Sequence, residues 1–214
     1  MDATAQSAEV ESGRYPSRRP AAIWVLAALW GLLVAAGMGG LWKYAATPGG
    51  AADPPPQWPT SSAVPRTPGK ATLVMLVHPH CSCSEASIGE LELLMARVHD
   101  RTTAHVLFVR PHAAPEGWDV TGLWQRAARI PGVTTSWDDA AAEAHVLGAM
   151  TSGHTVVYDA GGRLLFHGGI TGARGHAGDN LGRARVSALL TRGDADRHDS
   201  PVYGCSLEDP LDEG

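Results

Sequence analysis

Hydrophobic residues are arranged along this chain in two contrasting ways. Between Pro20 and Lys43 no charged residue occurs, and Ala21–Trp42 is one apolar run of 22 residues, close to the ~20 that a helix needs to cross a bilayer. Beyond residue 70, short apolar runs alternate with helical stripes. Ala71–Val77 and Ala104–Val109 are nearly continuous in apolar character and flanked by helical patterns, which predicts central parallel strands covered on both faces. After the first of these, Ile88, Leu91, Met95 and Val98 recur at intervals of three and four and predict a helix with one sheet-facing stripe.

The remaining elements follow from turn and cap signals. Residues 112–117 read as a loop, Asp119 as the cap of a short helix carrying Leu123, Trp124, Ala127 and Ala128, and Pro131-Gly132 as its stop. Val133–Ser136 is a short strand, and Asp138–Leu147 is a helix ending at Gly148. Two apolar runs, Thr155–Asp159 and Arg163–His167, flank Ala160-Gly161-Gly162 and predict an antiparallel hairpin. A glycine-rich loop from Gly168 to Gly178 precedes a last helix, capped by Asp179 or Asn180 and bearing Leu181, Val186, Leu189 and Leu190. The order strand, helix, strand, helix, strand, helix, strand, strand, helix makes an α/β domain with a mixed sheet flanked by helices.

Composition sets limits on function. A net charge of −5 over 214 residues, with arginines scattered and no basic patch interleaved with aromatics, argues against a nucleic-acid partner. Gly169, Gly172 and Gly175 suggest a phosphate loop, but the Gly-Lys-Ser/Thr ending is missing and the segment follows an antiparallel strand, so no nucleotide is expected. Three cysteines are too few to build a disulfide scaffold and are left for chemistry.

The apolar run is expected to be a membrane anchor; a cleaved signal peptide, with Ala51-Ala52 as a small-residue site, is the alternative. Arg14, Arg18 and Arg19 precede it and only Lys43 closely follows, so the N-terminus is expected in the cytoplasm and the rest outside, in the periplasmic position. The chain then divides into a disordered cytoplasmic stretch (1–20), a transmembrane helix (21–42), a Pro/Gly-rich linker (43–69) read as a semi-extended tether, a folded domain (70–192) and a tail (193–214) carrying Cys205.

The candidate chemistry lies at residues 78–84, His-Pro-His-Cys-Ser-Cys-Ser, where the first strand hands over to the first helix of the domain. Ser82 and Glu85 have the spacing of a capping box, which would put Cys81 just outside the helix and Cys83 in its first turn, where unpaired N–H groups favour a thiolate. Cys81 is the expected nucleophile. Cys83 would resolve through a small strained ring, and Cys205 would resolve by reaching back from the tail. His154 is expected to face Cys81 and to lower its pKa or carry its proton. The same side chains, with His78 and His80, also form a set suited to copper(I) or zinc.

The element order and the cysteines after the first core strand resemble the thioredoxin fold over residues 70–192. More closely, His78–Ser84, Thr151–Thr155, Gly168–His176 and Val202–Cys205 resemble a group of membrane-anchored thioredoxin-like proteins labelled RedB. The resemblance implies an extracytoplasmic thiol–disulfide oxidoreductase, needing no cofactor, tethered by its own helix and acting on a protein thiol or disulfide. The chain departs from the thioredoxin pattern in two ways: Ser84 stands where Cys-x-x-Cys has its second cysteine, and His154 stands where a cis-proline precedes the strand facing the site. Membrane-anchored thioredoxin folds of the Sco type, which deliver copper to oxidases, resemble the chain in anchor and fold, but their cysteines are separated by three residues instead of one. A thioredoxin fold serving only as an interaction domain is the third expectation.

Overall fold

The computed structural model describes residues 19–50, 52–111, 114, 118 and 121–208. The chain divides into two compact units, Met1–Trp42 and Lys43–Gly214. Helix α1, Arg19–Ala46, contains the stretch Ala21–Ala46 of 26 residues with a mean hydropathy of 2.1, and is long and apolar enough to cross a membrane. Trp24, Trp30, Leu33 and Trp42 on this helix are all exposed.

The second unit is built on a six-stranded sheet in the order β3-β2-β1-β4-β5-β6. Its strands are β1 (Ala71–Val77), β2 (Thr102–Arg110), β3 (Val133–Asp139), β4 (His154–Tyr158), β5 (Leu164–Gly168) and β6 (Asp199–Ser200). The helices are α2 (Ser84–Val98), α3 (Gly122–Ala128), α4 (Ala142–Val146) and α5 (Leu181–Arg192). β1 runs parallel to β2 and antiparallel to β4, β2 is parallel to β3, and β4 and β5 form the hairpin. This is the thioredoxin-like core that the order of elements predicts. β6, parallel to β5 through the pair His167–Asp199, was not visible as a pattern because two residues carry no periodicity.

β1 is central and buried from its second residue onward, which is why its sequence shows no alternation. Leu73, Met75 and Val77 meet the stripe Ile88, Leu91, Leu94, Met95 and Val98 of α2, with Val157, Phe166, Val186 and Leu189, on one face. Val74 and Leu76 join Leu107, Val109, Ala144, Leu147, Val156 and Tyr158 on the other. Each strand residue thus belongs to one of two cores by parity alone.

Several local expectations are corrected. Residues 47–50 and 52–69 lie along the domain instead of standing free. Trp58 N–H donates to Gly162 O (2.7 Å), Leu164 N–H to Pro56 O (2.9 Å) and Tyr158 Oη to Pro55 O (2.9 Å), while Ser62 and Ala63 bond the Glu143 carboxylate. Val64 completes the second core, so proline here gives an extended shape that is used for packing. α4 is shorter than its alanine-rich sequence suggests because Asp138 belongs to β3, and its carboxylate accepts from the N–H groups of Glu143 and Ala144. α3 is capped by Thr121, whose hydroxyl accepts from Trp124 N–H; the expected cap, Asp119, and most of the expected loop 112–117 lie outside the described residues.

One buried charge ties the glycine-rich loop to α2. Glu90, 1% exposed, accepts from Gly178 N–H (2.7 Å) and Asn180 Nδ2 (3.1 Å) and pairs with Arg183 Nε (2.6 Å). Removing one partner of such a pair strands the other charge, so Glu90→Ala should destabilise the domain by about 3 kcal/mol or more in urea unfolding followed by tryptophan fluorescence. A loss below about 1 kcal/mol would mean that solvent already satisfies Arg183.

Candidate active site

β1 ends at Val77, and the chain makes a turn before α2. Cys81 N–H donates to His78 O (3.1 Å) and Ser84 N–H to Cys81 O (3.0 Å). Cys83, not Ser82, is the N-cap; it already has helical torsions (φ −66°, ψ −26°) and no side chain caps the helix. Glu85 N–H bonds the Ser82 carbonyl (3.4 Å) and the helix start has no side-chain cap bond, so the expected capping box does not form. Cys81 remains outside the helix, 5% exposed, at the wall of an open groove of about 380 Å³ lined also by Pro79, His80, Thr121, Leu123 and Arg126.

The third cysteine is brought in by the tail. Residues 205–207 lie antiparallel to 150–152: Ser152 N–H donates to Cys205 O (2.8 Å), Leu207 N–H donates to Met150 O (3.0 Å), and Thr151 bridges to Ser206. Gly204 allows this approach, since a Cβ there would lie 2.0 Å from Ser152 O. Ser152 Oγ also accepts from His78 N–H (2.7 Å) and shares a hydrogen bond with Ser84 Oγ (2.7 Å). One serine therefore joins the end of β1, the first turn of α2 and the tail. Arg174, from the glycine-rich loop, donates through Nη1 to Gly204 O and stacks over Tyr44, 4.8 Å from the ring centre.

The result is a group of three sulfurs, Cys81, Cys83 and Cys205, all within 4.8 Å of one another. Cys81 Sγ and Cys205 Sγ are 3.1 Å apart, as a thiol hydrogen bond. Burial alone would raise the Cys81 pKa, but hydrogen bonds from the Ser84 hydroxyl, the Cys205 thiol and the N–H groups of both residues outweigh it and lower the value to about 7. Cys205 is pushed up to about 12 by burial, by its bond to Cys81 and by the charge on its neighbours, with Arg174 acting in the opposite sense. Cys83 is also raised, by burial and then by Cys81. Two facing thiols have thus been driven apart, one toward thiolate and one toward thiol.

His154 is positioned differently from the expectation. It pairs with Leu76 across the sheet and, like Val156 and Tyr158 on its own strand, belongs to the face opposite α2. Its ring is fully buried 6.3 Å from that of His167, with neither nitrogen hydrogen-bonded, and its pKa is lowered to about 4 by burial and then by His167. The groups acting on Cys81 are Ser84 and Cys205. His78 and His80 pack edge-on against Trp118, and none of these three histidines belongs to the group of sulfurs. The peptide bonds of the described residues are all trans, and the close approach beneath α2 is made by Gly153 (φ +88°), where a Cβ would lie 2.7 Å from Ser87 Oγ.

A mixed sheet flanked by helices, with thiols at the junction of β1 and α2, defines a protein of the thioredoxin-like fold class. No family model matches the chain, and comparison with the curated proteins also gives no match. Solved structures do match. A hypothetical protein from Sinorhizobium meliloti 1021 is 20% identical with a TM-score of 0.52, covering 65% of this chain and 79% of its own. An uncharacterized conserved protein from Geobacillus kaustophilus is 16% identical with a TM-score of 0.54, covering 77% and 94%. A secreted Mycobacterium tuberculosis disulfide oxidoreductase homologous to E. coli DsbE is 15% identical with a TM-score of 0.41, covering 58% and 83%. For the first two, at these identities, the likeness is one of fold alone.

The split in acidity is directly measurable. In the fully reduced protein, Cys81 should be alkylated by iodoacetamide with a midpoint near pH 7, ahead of Cys83 and Cys205, as mapped by mass spectrometry. Cys205→Ala removes a donor that lowers the Cys81 pKa and should move that midpoint upward. An unchanged midpoint would show that Ser84 and the turn are sufficient without Cys205.

Proposed function

We propose that the chain is a membrane-tethered, extracytoplasmic thiol–disulfide redox protein of the RedB type, with Cys81 as nucleophile and Cys205 as resolving thiol. The observation that carries this reading is the 3.1 Å contact between a sulfur biased toward thiolate and one biased toward thiol. In the reducing direction, the Cys81 thiolate attacks a disulfide of the partner protein, forming a mixed disulfide and expelling one partner thiolate, which takes a proton from solvent. Cys81 then no longer carries charge or accepts the Cys205 hydrogen, so two of the causes that raise the Cys205 pKa disappear while Arg174 remains. Cys205 gives up its proton to solvent and its thiolate attacks Cys81 Sγ, breaking the mixed disulfide, releasing the second partner sulfur as a thiolate that is protonated from solvent, and leaving a Cys81–Cys205 disulfide. Two electrons have passed to the partner, and a protein dithiol must return them. The reverse sequence oxidises a partner dithiol.

The anchor and its orientation rest on the apolar helix and on the arginines before it. A disulfide-forming centre suits that side of the membrane. A second reading is favoured by the three clustered sulfurs: as thiolates they would suit copper(I) or zinc, without the histidines that a Sco-like site would use.

Cys205→Ala should trap a mixed disulfide between Cys81 and a model substrate, seen on non-reducing gels, whereas Cys83→Ala should turn over at a rate near that of the parent. If Cys83→Ala traps and Cys205→Ala turns over, Cys83 resolves instead. If reduced protein takes up one equivalent of copper(I) and neither variant forms a mixed disulfide, the metal reading replaces the redox one.

A further inference from the structure

The three sulfurs form a ligand set with no fourth member. Cys81 Sγ lies 3.1 Å from Cys205 Sγ, and Cys83 Sγ is within 4.8 Å of both. Bonds of about 2.3 Å from one central atom hold its sulfurs about 4 Å apart, so a small turn of the part-exposed Cys83 side chain brings all three onto one atom. Among the described residues no histidine or carboxylate joins them: His154 lies on the opposite face of the sheet, and His78 and His80 pack against Trp118. The setting also disfavours accumulated charge. Cys81 is 5% exposed, burial pushes Cys83 and Cys205 toward the thiol, and Arg174 is the cation that acts on these two. Three thiolates would leave one negative charge in excess around zinc and two around copper(I), whereas an uncharged complex carries no such desolvation cost.

We propose that Cys81, Cys83 and Cys205 together bind trivalent arsenic, taken up as arsenous acid. Each thiol proton leaves with one hydroxyl of As(OH)3 as water, so three As–O bonds break and three As–S bonds form; where Cys81 is a thiolate, solvent supplies the proton. Arsenic stays trivalent throughout, and no oxidant or reductant enters. The product is neutral, and the lone pair on arsenic occupies the position at which a structural zinc ion would need a fourth ligand. The open groove of about 380 Å³ beside Cys81 admits the small uncharged acid. Bound arsenic holds both the nucleophile and the resolving sulfur, so a chain in this state forms no mixed disulfide. Binding requires only the placement of the sulfurs and holds whether or not they exchange disulfides.

The test uses the full-length protein in detergent, kept reduced with a phosphine so that no added thiol competes, and titrated with sodium arsenite. At one equivalent per chain, X-ray absorption at the arsenic edge should show three As–S bonds and no As–O bond, and titratable thiols should fall from three to none. Cys83→Ser leaves the Cys81–Cys205 pair in place; it should bind about a hundredfold more weakly, with two As–S bonds and one As–O bond, because the third bond closes within the chain. Cys205→Ser should likewise lose one As–S bond. Two As–S bonds in the parent, or equal affinity in the Cys83→Ser variant, would overturn the three-sulfur site. Three As–S bonds in a parent that, free of arsenic, forms no mixed disulfide with a model substrate would uphold the site and remove the redox reading alone.

Discussion

The thiol centre depends on a short antiparallel contact, residues 150–152 against 205–207, made by backbone hydrogen bonds. Without it Cys205 would be a tail thiol and Cys81 a half-buried sulfur with one fewer donor. The contact requires a glycine at 204, because Ser152 O occupies the space of a Cβ, and another at 153, because α2 approaches through Ser87. Ser152 then links three elements at once, so the distance between the sulfurs is set by the same bonds that close the end of the sheet. Arg174 adds a cation beside Gly204 that favours charge on Cys83 and Cys205 alike.

Parity along β4 separates two kinds of chemistry. Residues of one parity, such as Val157, line the core beneath α2, and those of the other, Val156 and Tyr158, line the opposite core on the side of the imidazole pair. A one-residue slip in β4 would exchange them. His154 is therefore close to the thiols in sequence logic and on the wrong side of the sheet in space, and its low affinity for a proton follows from burial on that side.

Much of the fold was legible because β1, β2, the β4–β5 hairpin and the stripe of α2 are long enough to show their period. The position of Cys81 just before the helix was legible because a strand-to-helix junction is an environment that the sequence itself displays, and the sulfur there has a lowered pKa. Ser82 is not the cap because Cys83 already has helical torsions and the helix starts one residue later than the Ser82–Glu85 spacing suggests, a shift of register that local spacing does not display. Ser152, Arg174 and Gly204 were legible only as members of recurring segments, since their roles arise from contacts over more than 25 residues of sequence, such as Arg174 to Gly204, 30 residues apart. The proline-rich stretch has the composition of a linker, and only the partners on β4 and β5 reveal that it is part of the domain.

The contact between Cys81 and Cys205 spans 124 positions of chain. A ribosome that makes the protein from its N-terminus exposes the Cys-x-Cys pair long before the sulfur that completes the centre, on whichever side of a membrane folding takes place. During that interval the nascent domain offers any passing oxidant two thiols lacking the tail that tunes them. Assembly of the three-sulfur group thus requires that α5 and β6 have already been synthesised and placed.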